Sequence, residues 1–294
     1  MTSLVRLPSG GALHLEGPAQ ADRPALLFLH GVGGAAWSWA PQRTAFSSTH
    51  ACFTWEARGH GQAAACDDAG LADYHLDASE ALGWILANTA HDVVLVGHSM
   101  GGLLAVALAC EVRARIAGVF LVDPVYAERG DGVPLPSVLL APLRVFFRAV
   151  ARSFQRGGWL GRAVAWPFFK WAFLDAGVRD ATWPLQLAQR PIEYPRTVLE
   201  ALDGVRGFPF RPFADELDVP TVLLEAVQRP KQRRRFESVV MRLRSRLGER
   251  FRHEVVLSGH YVQLDRAELT TSHLEAFVAS ALVLFLLVAG TPGA

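Results

Sequence analysis

The chain has 294 residues, 51% apolar and 19% charged, with 29 Lys and Arg against 28 Asp and Glu for a formal net charge of +1. That composition excludes a disordered or fibrous chain, and the near-neutral balance gives no overall electrostatic footprint for nucleic acid. The length suits one large domain or two small ones.

Lys170 and Lys231 are the only lysines. The arginine-rich, alanine-rich background is of the kind that GC-rich bacterial genomes encode. Cys52, Cys66 and Cys110 are odd in number and lack CxxC or His companions, so neither a disulfide framework nor a zinc site is expected. Buried thiols in a reducing compartment are the expectation. The N-terminal MTSLVRLPSGG has no apolar signal core, and a cytoplasmic location follows as an expectation.

In chain order, residues 24–29 (PALLFL) read as a central strand ended by the glycine-rich turn HGVGG, and residues 51–55 as the next strand. Residues 74–88 carry Leu76, Leu82, Ile85 and Leu86 at helical spacing. Strand 93–96, helix 101–112 and strand 116–122 follow. This alternation predicts an α/β fold with a mostly parallel sheet covered by helices on both faces.

Beyond Asp123 the text changes. Residues 125–212 are rich in aromatics, Pro and Arg, hold Trp159, Trp166, Trp171 and Trp183, and show no short strand-like runs, so they read as an inserted helical cap. The alternation resumes with strand 219–224, a basic helix over 231–247, strand 253–257 and a last helix from about residue 266. The expected organisation is a core of 1–124 and 213–294 interrupted by a cap of 125–212. The final helix runs into a chargeless stretch, 276–289, whose 14 residues fall short of the roughly 20 needed to cross a bilayer. Burial against the sheet is favoured over membrane contact.

Gly97-His98-Ser99-Met100-Gly101 matches G-x-S-x-G, and it stands between an expected strand and helix. A sharp strand-to-helix turn strains its central residue and crowds the positions two away, which therefore need glycine. Ser99 Oγ is then presented at a helix N-terminus, where backbone N–H groups can bind an oxyanion.

With LLFLHGVGG (26–34), EARGHGQA (56–63), VPTVLL (219–224) and SGHYVQLD (258–265) at matching order and spacing, the chain resembles the α/β-hydrolase fold family. That family holds bacterial esterases, lactonases, C–C bond hydrolases and cofactor-free haloperoxidase-like enzymes. The resemblance implies Ser99 as nucleophile and His260 as general base. It assigns the backbone N–H groups of Val32 and Met100 to the oxyanion hole. It implies no metal or organic cofactor. A serine at the elbow also argues against epoxide opening and halide displacement, for which relatives use aspartate. His60 and His98 read as turn-supporting residues.

The acid departs from the family pattern. Where a turn after the VPTVLL strand usually carries aspartate before proline, this chain has Arg229 before Pro230. Asp123, at the end of the preceding strand, is the first alternative, and Glu225 is the second. The third is that no acid acts, leaving a catalytically weak or inactive binding protein.

Arg144, Arg148, Arg152 and Arg156 recur every four residues of the cap beside Phe146, Phe147, Val150 and Phe154. They read as a solvated amphipathic face. KQRRR at 231–235 with Arg242, Arg244 and Arg246 reads the same way, with no nucleic-acid partner expected. The expected activity is a serine hydrolase acting on a carbonyl of a small to medium apolar ester, lactone, thioester or C–C substrate.

Overall fold

The computed structural model describes residues 3–18, 23–66, 69–90, 92–125, 163, 166, 170–187, 215–230 and 236–289. Among these, the strands are β1 (Ser3–Arg6), β2 (Ala12–Glu16), β3 (Ala25–Leu29), β4 (Cys52–Glu56), β5 (Val93–His98), β6 (Ile116–Val122), β7 (Thr221–Val227) and β8 (Phe251–Leu257). The α-helices are α1 (Ala40–Phe46), α2 (Leu71–Asn88), α3 (Met100–Val112), α4 (Ala176–Leu187), α5 (Glu237–Leu247), α6 (Val262–Asp265) and α7 (Ala267–Ala289).

The strands form one sheet in the order β1-β2-β4-β3-β5-β6-β7-β8. β1–β2 and β2–β4 pair antiparallel, and every pair from β4 to β8 is parallel. The α/β architecture is thus the one expected. The hairpin β1–β2 had no counterpart among the expected strands.

Helices on both faces explain the continuous apolar strands, because a parallel sheet is covered on each side. β3 and β4 are buried along their whole lengths. On one face Leu27, Leu95 and Leu121 pack with Tyr74, Leu82 and Ile85 of α2, Leu104 and Leu108 of α3 and Leu243 of α5. On the other, Phe28, Val96 and Phe120 pack with Trp39, Phe46 of α1 and Leu274 and Phe277 of α7.

Topology places the site. From β3 the chain moves one way to β4 and then crosses back to β5 on the other side of β3. The direction of winding therefore reverses between β3 and β5, and the crevice at their carboxyl ends is where open α/β sheets bind ligands. The turn 30–34 and Ser99 stand at those two ends.

Within the expected cap only residues 125, 163, 166 and 170–187 are described, with α4 among them. Trp159, the Arg144 to Arg156 row and the KQRRR stretch lie outside the described residues. α5 begins at Glu237, and β7 runs three residues past the expected strand end, so Glu225 lies inside a strand.

Cys52 and Cys110 are buried, and burial pushes their thiols up to about 12 and about 11. None of the described helices is long and apolar enough to cross a membrane. α7 instead lays Phe277 on the sheet, where a side chain at Gly118 would come 2.5 Å from its Cζ. Its ring centroid lies 5.9 Å from that of Phe120. Truncation in Phe277→Ala leaves a cavity and is expected to cost about 3 to 4 kcal/mol, read from urea unfolding.

Candidate active site

Ser99 joins β5 to α3 at φ 53 and ψ −119. Such a conformation costs a non-glycine residue about 1–3 kcal/mol and persists only where its surroundings enforce it. Here they do. Ser99 N–H donates to Val122 O, and its carbonyl accepts from the N–H groups of Gly102 and Val125. The glycines on either side are compulsory, since a Cβ on Gly97 would meet Gly101 O at 2.3 Å and one on Gly101 would meet Leu29 O at 2.1 Å.

The turn after β3 lies against this elbow. A Cβ on Gly31 would come 2.8 Å from Ser99 Cβ. Val32 follows Gly31 on this turn, and Met100 is the first residue of α3, whose N–H has no acceptor within the helix.

Two buried histidines shape the turn. His30 Nδ1 donates to Gly31 O at 2.7 Å, while its Nε2 accepts from Ala57 N–H at 3.1 Å. His60 Nε2 accepts from Gly33 N–H at 3.3 Å, and its Nδ1 donates to Arg58 O at 3.2 Å. An acceptor nitrogen must be unprotonated. Burial keeps both rings neutral, holding His30 down to about 3 and His60 below the usual histidine range. Arg58 pairs with buried Asp77 at 2.6 Å and ties this layer to α2.

Beneath it, Glu56 accepts from Ala36 N–H at 2.9 Å and Gln62 N–H at 2.7 Å, with His14 Nε2 2.9 Å away. Burial alone would raise its carboxyl pKa; the bonds from His14, Ala36 and Gln62 outweigh burial and hold it below the usual range.

On the opposite side of the elbow, His260 Nδ1 lies 2.5 Å from Asp123 Oδ2. Asp123 follows β6, is 1% exposed and has φ 40. It and Ser99 are the two non-glycine residues of positive φ among those described. Its N–H donates to Leu224 O, and its Oδ1 accepts from Ala226 N–H at 3.1 Å, so β7 locks the carboxylate in place. Glu225 is occupied elsewhere, 3.0 Å from His253 Nε2 on β8 and fully buried.

Further contacts hold the His260 loop; the sequence marks His98 as turn-supporting without a partner, and the others are not assigned from it. His98 Nε2 donates to His260 O at 2.9 Å, and burial keeps the His98 ring neutral by drawing its pKa far below the usual range. Asp265 accepts from Ser258 Oγ at 2.9 Å, Gly259 N–H at 2.8 Å, Leu174 N–H at 3.2 Å and Asp175 N–H at 2.7 Å. One carboxylate thereby clamps the histidine loop to segment 170–175. A Cβ on Gly259 would strike Ala172 O at 2.2 Å, which measures how closely the two pieces approach. The spacing within SGHYVQLD was the available signal for Asp265; Trp171 and His98 carried none that spoke of His260.

Against this geometry, residues 26–271 match the model of the alpha/beta hydrolase family. The chain is a member of that family. Its curated relatives include a protein assigned as the carbamate hydrolase RutD of Variovorax paradoxus (strain S110), 37% identical over 114 residues, covering 38% of this chain and 42% of that one. Another is the human (lyso)-N-acylphosphatidylethanolamine lipase, 29% identical over 147 residues, 47% of this chain and 40% of the lipase. The chain thus spans about two fifths of the length of these relatives. Over nearly the whole fold it resembles the crystal structure of the enol-lactonase from Burkholderia xenovorans LB400, with TM-score 0.70 and 20% identity across 94% of this chain and 100% of that one.

The clamp has a pH signature. Burial would raise the Asp265 carboxyl, but the bonds from Gly259, Asp175, Ser258 and Leu174 bring it below its ordinary value. A lowered carboxylate contributes stability above the unfolded value, near pH 4, that is lost as pH falls through the folded one. Asp265→Asn is expected to cost about 3 kcal/mol at pH 7, with the difference from the parent closing below about pH 4 in urea melts.

Proposed function

We propose that this family member is a serine hydrolase that cleaves a carbonyl compound through an acyl-enzyme. The observation that carries the reading is the 2.5 Å contact between Asp123 Oδ2 and His260 Nδ1, on the far side of an elbow that strains Ser99 into φ 53. With its Nδ1–H given to Asp123, a neutral imidazole has its lone pair on Nε2, the tautomer a general base needs.

In this mechanism Ser99 Oγ attacks the substrate carbonyl carbon while its proton passes to His260 Nε2. The carbonyl oxygen becomes an oxyanion between the N–H groups of Val32 and Met100. Asp123 steadies the imidazolium without taking its proton. Collapse expels the leaving group, which takes the proton from His260. A water then gives its proton to His260 and attacks the acyl carbon, and the second collapse returns the proton to Ser99 Oγ. Every step uses side chains and backbone of this chain.

Asp123, and not Glu225, is the acid in this scheme. The sheet supports that choice: Asp123 stands at the end of β6, beside the nucleophile strand, whereas Glu225 is engaged with His253. Engagement of a carboxylate with His260 supports this reading over that of an inactive binding protein. A core of 1–124 and 213–294 interrupted by an insertion at 125–212 belongs to the same proposal. The substrates are small to medium apolar esters, lactones, thioesters or C–C substrates, consistent with an enol-lactonase and a carbamate hydrolase among the similar proteins.

A fluorophosphonate probe is expected to label the chain, with labelling abolished by Ser99→Ala. Folded protein that resists the probe would overturn the hydrolase reading. On p-nitrophenyl acetate, Asp123→Asn is expected to lower kcat on the order of 10⁴-fold, by analogy with loss of the orienting acid in the best-studied triad. Glu225→Gln is expected to keep kcat near the parent value; the reverse pattern in these assays would move the acid to Glu225.

A further inference from the structure

We propose that Trp171 is a positioning residue for the general base: its indole lies face-on to the His260 ring and stabilises the imidazolium formed as Ser99 attacks the substrate and gives up its proton. This rests on the reading of Ser99 and His260 given above. The ring centroids are 4.5 Å apart and the planes 27° from parallel. A cation over an indole face is attracted by the ring quadrupole, and tryptophan is the best of the aromatic faces for this.

The placement is built by backbone bonds. Trp171 O accepts from His260 N–H at 3.4 Å and from Gln228 Nε2 at 2.6 Å. The next residue, Ala172, accepts from Tyr261 N–H at 3.0 Å. Asp265 holds Leu174 and Asp175, and Phe173 stacks on Tyr261 at 5.2 Å. Bonds on both sides of Trp171 thus set its Cα beside the histidine. The core does not account for the side chain, because Trp171 is 44% exposed although Ala172 and Phe173 beside it are fully buried.

Three other titratable groups face His260 among the described residues. Asp123 bonds its Nδ1, His98 has its ring centroid 4.7 Å away, and Tyr261 meets it edge-on at 5.9 Å. Burial keeps His98 neutral and pushes the Tyr261 phenol up, so near neutral pH neither competes in charge. The imidazolium is then stabilised by one carboxylate in the ring plane and one indole against the ring face. Because the indole interacts with the charged form and little with the neutral one, it favours the state in which the proton has moved from Ser99 to His260. That preference is greater in the transition state than in the ground state, as catalysis requires.

The test is a histidine NMR titration of the full chain between about pH 5 and pH 9, with the His260 signal assigned by its loss in His260→Gln. Trp171→Leu is expected to move the His260 midpoint to lower pH by about half a unit, and Trp171→Phe by less. The acid limb of kcat/KM on p-nitrophenyl acetate is expected to move down by the same amount, and kcat to fall about two- to fivefold. An unchanged midpoint in Trp171→Leu overturns the proposal. Should that variant fail to fold, Trp171→Phe and the parent decide: a parent without nuclear Overhauser contacts between the Trp171 indole and the His260 ring overturns it as well. A midpoint shift without turnover in any form supports the pairing and overturns the hydrolase reading alone.

Discussion

At the joint of β5 and α3 the chain holds Ser99 in a backbone conformation that serine avoids, and the surrounding structure is arranged to keep it there. The neighbouring strand accepts its N–H through Val122 O. Glycines at 97 and 101 let the turn close to within contact of Leu29 O and of itself. A central parallel sheet with both faces buried supplies the rigidity, because relaxing φ at Ser99 would drag β5 out of register with β3 and β6. The reversal of winding beside β3 leaves the crevice open at that same edge.

Around the elbow, polar groups are buried for a structural purpose. His30 and His60 accept backbone N–H bonds, which only neutral imidazoles can do, and their burial keeps them neutral. His98 uses a neutral ring to hold the carbonyl of His260. Asp265 and Glu56 are the opposite case: each stays charged in a buried setting because several N–H groups converge on it. The site is therefore a set of loops whose shapes are fixed by hydrogen bonds from burial-tuned side chains, and the sheet only provides the floor.

Much of the fold was legible in the chain, since the apolar runs at 24–29, 93–96 and 116–122 are strands buried on two faces and leave no alternation to misread. The hairpin β1–β2 was not. Its residues are partly exposed and mixed in character, and its strands are fixed by antiparallel pairing with β4 across the edge. The end of β7 was misplaced for a related reason: Glu225 breaks the apolar run, yet pairing with β8 carries the strand on to Val227.

Sequence by itself determined the elbow, because Gly97, Ser99 and Gly101 are near neighbours and steric crowding at a sharp turn is a local matter. It also singled out His260, a histidine set in a glycine turn after the last strand. Which carboxylate faces that histidine was decided by tertiary structure alone. Asp123 and His260 are separated by 137 positions, and whether an acid at the end of β6 or one on β7 reaches the ring depends on strand order, on the φ of 40 at Asp123 and on the direction each side chain takes from its strand. Glu225, on β7, is engaged with His253 on β8 instead. Trp171 follows the same rule, since its contact with His260 arises from a backbone clamp between two distant segments, and no local pattern encodes a meeting of that kind.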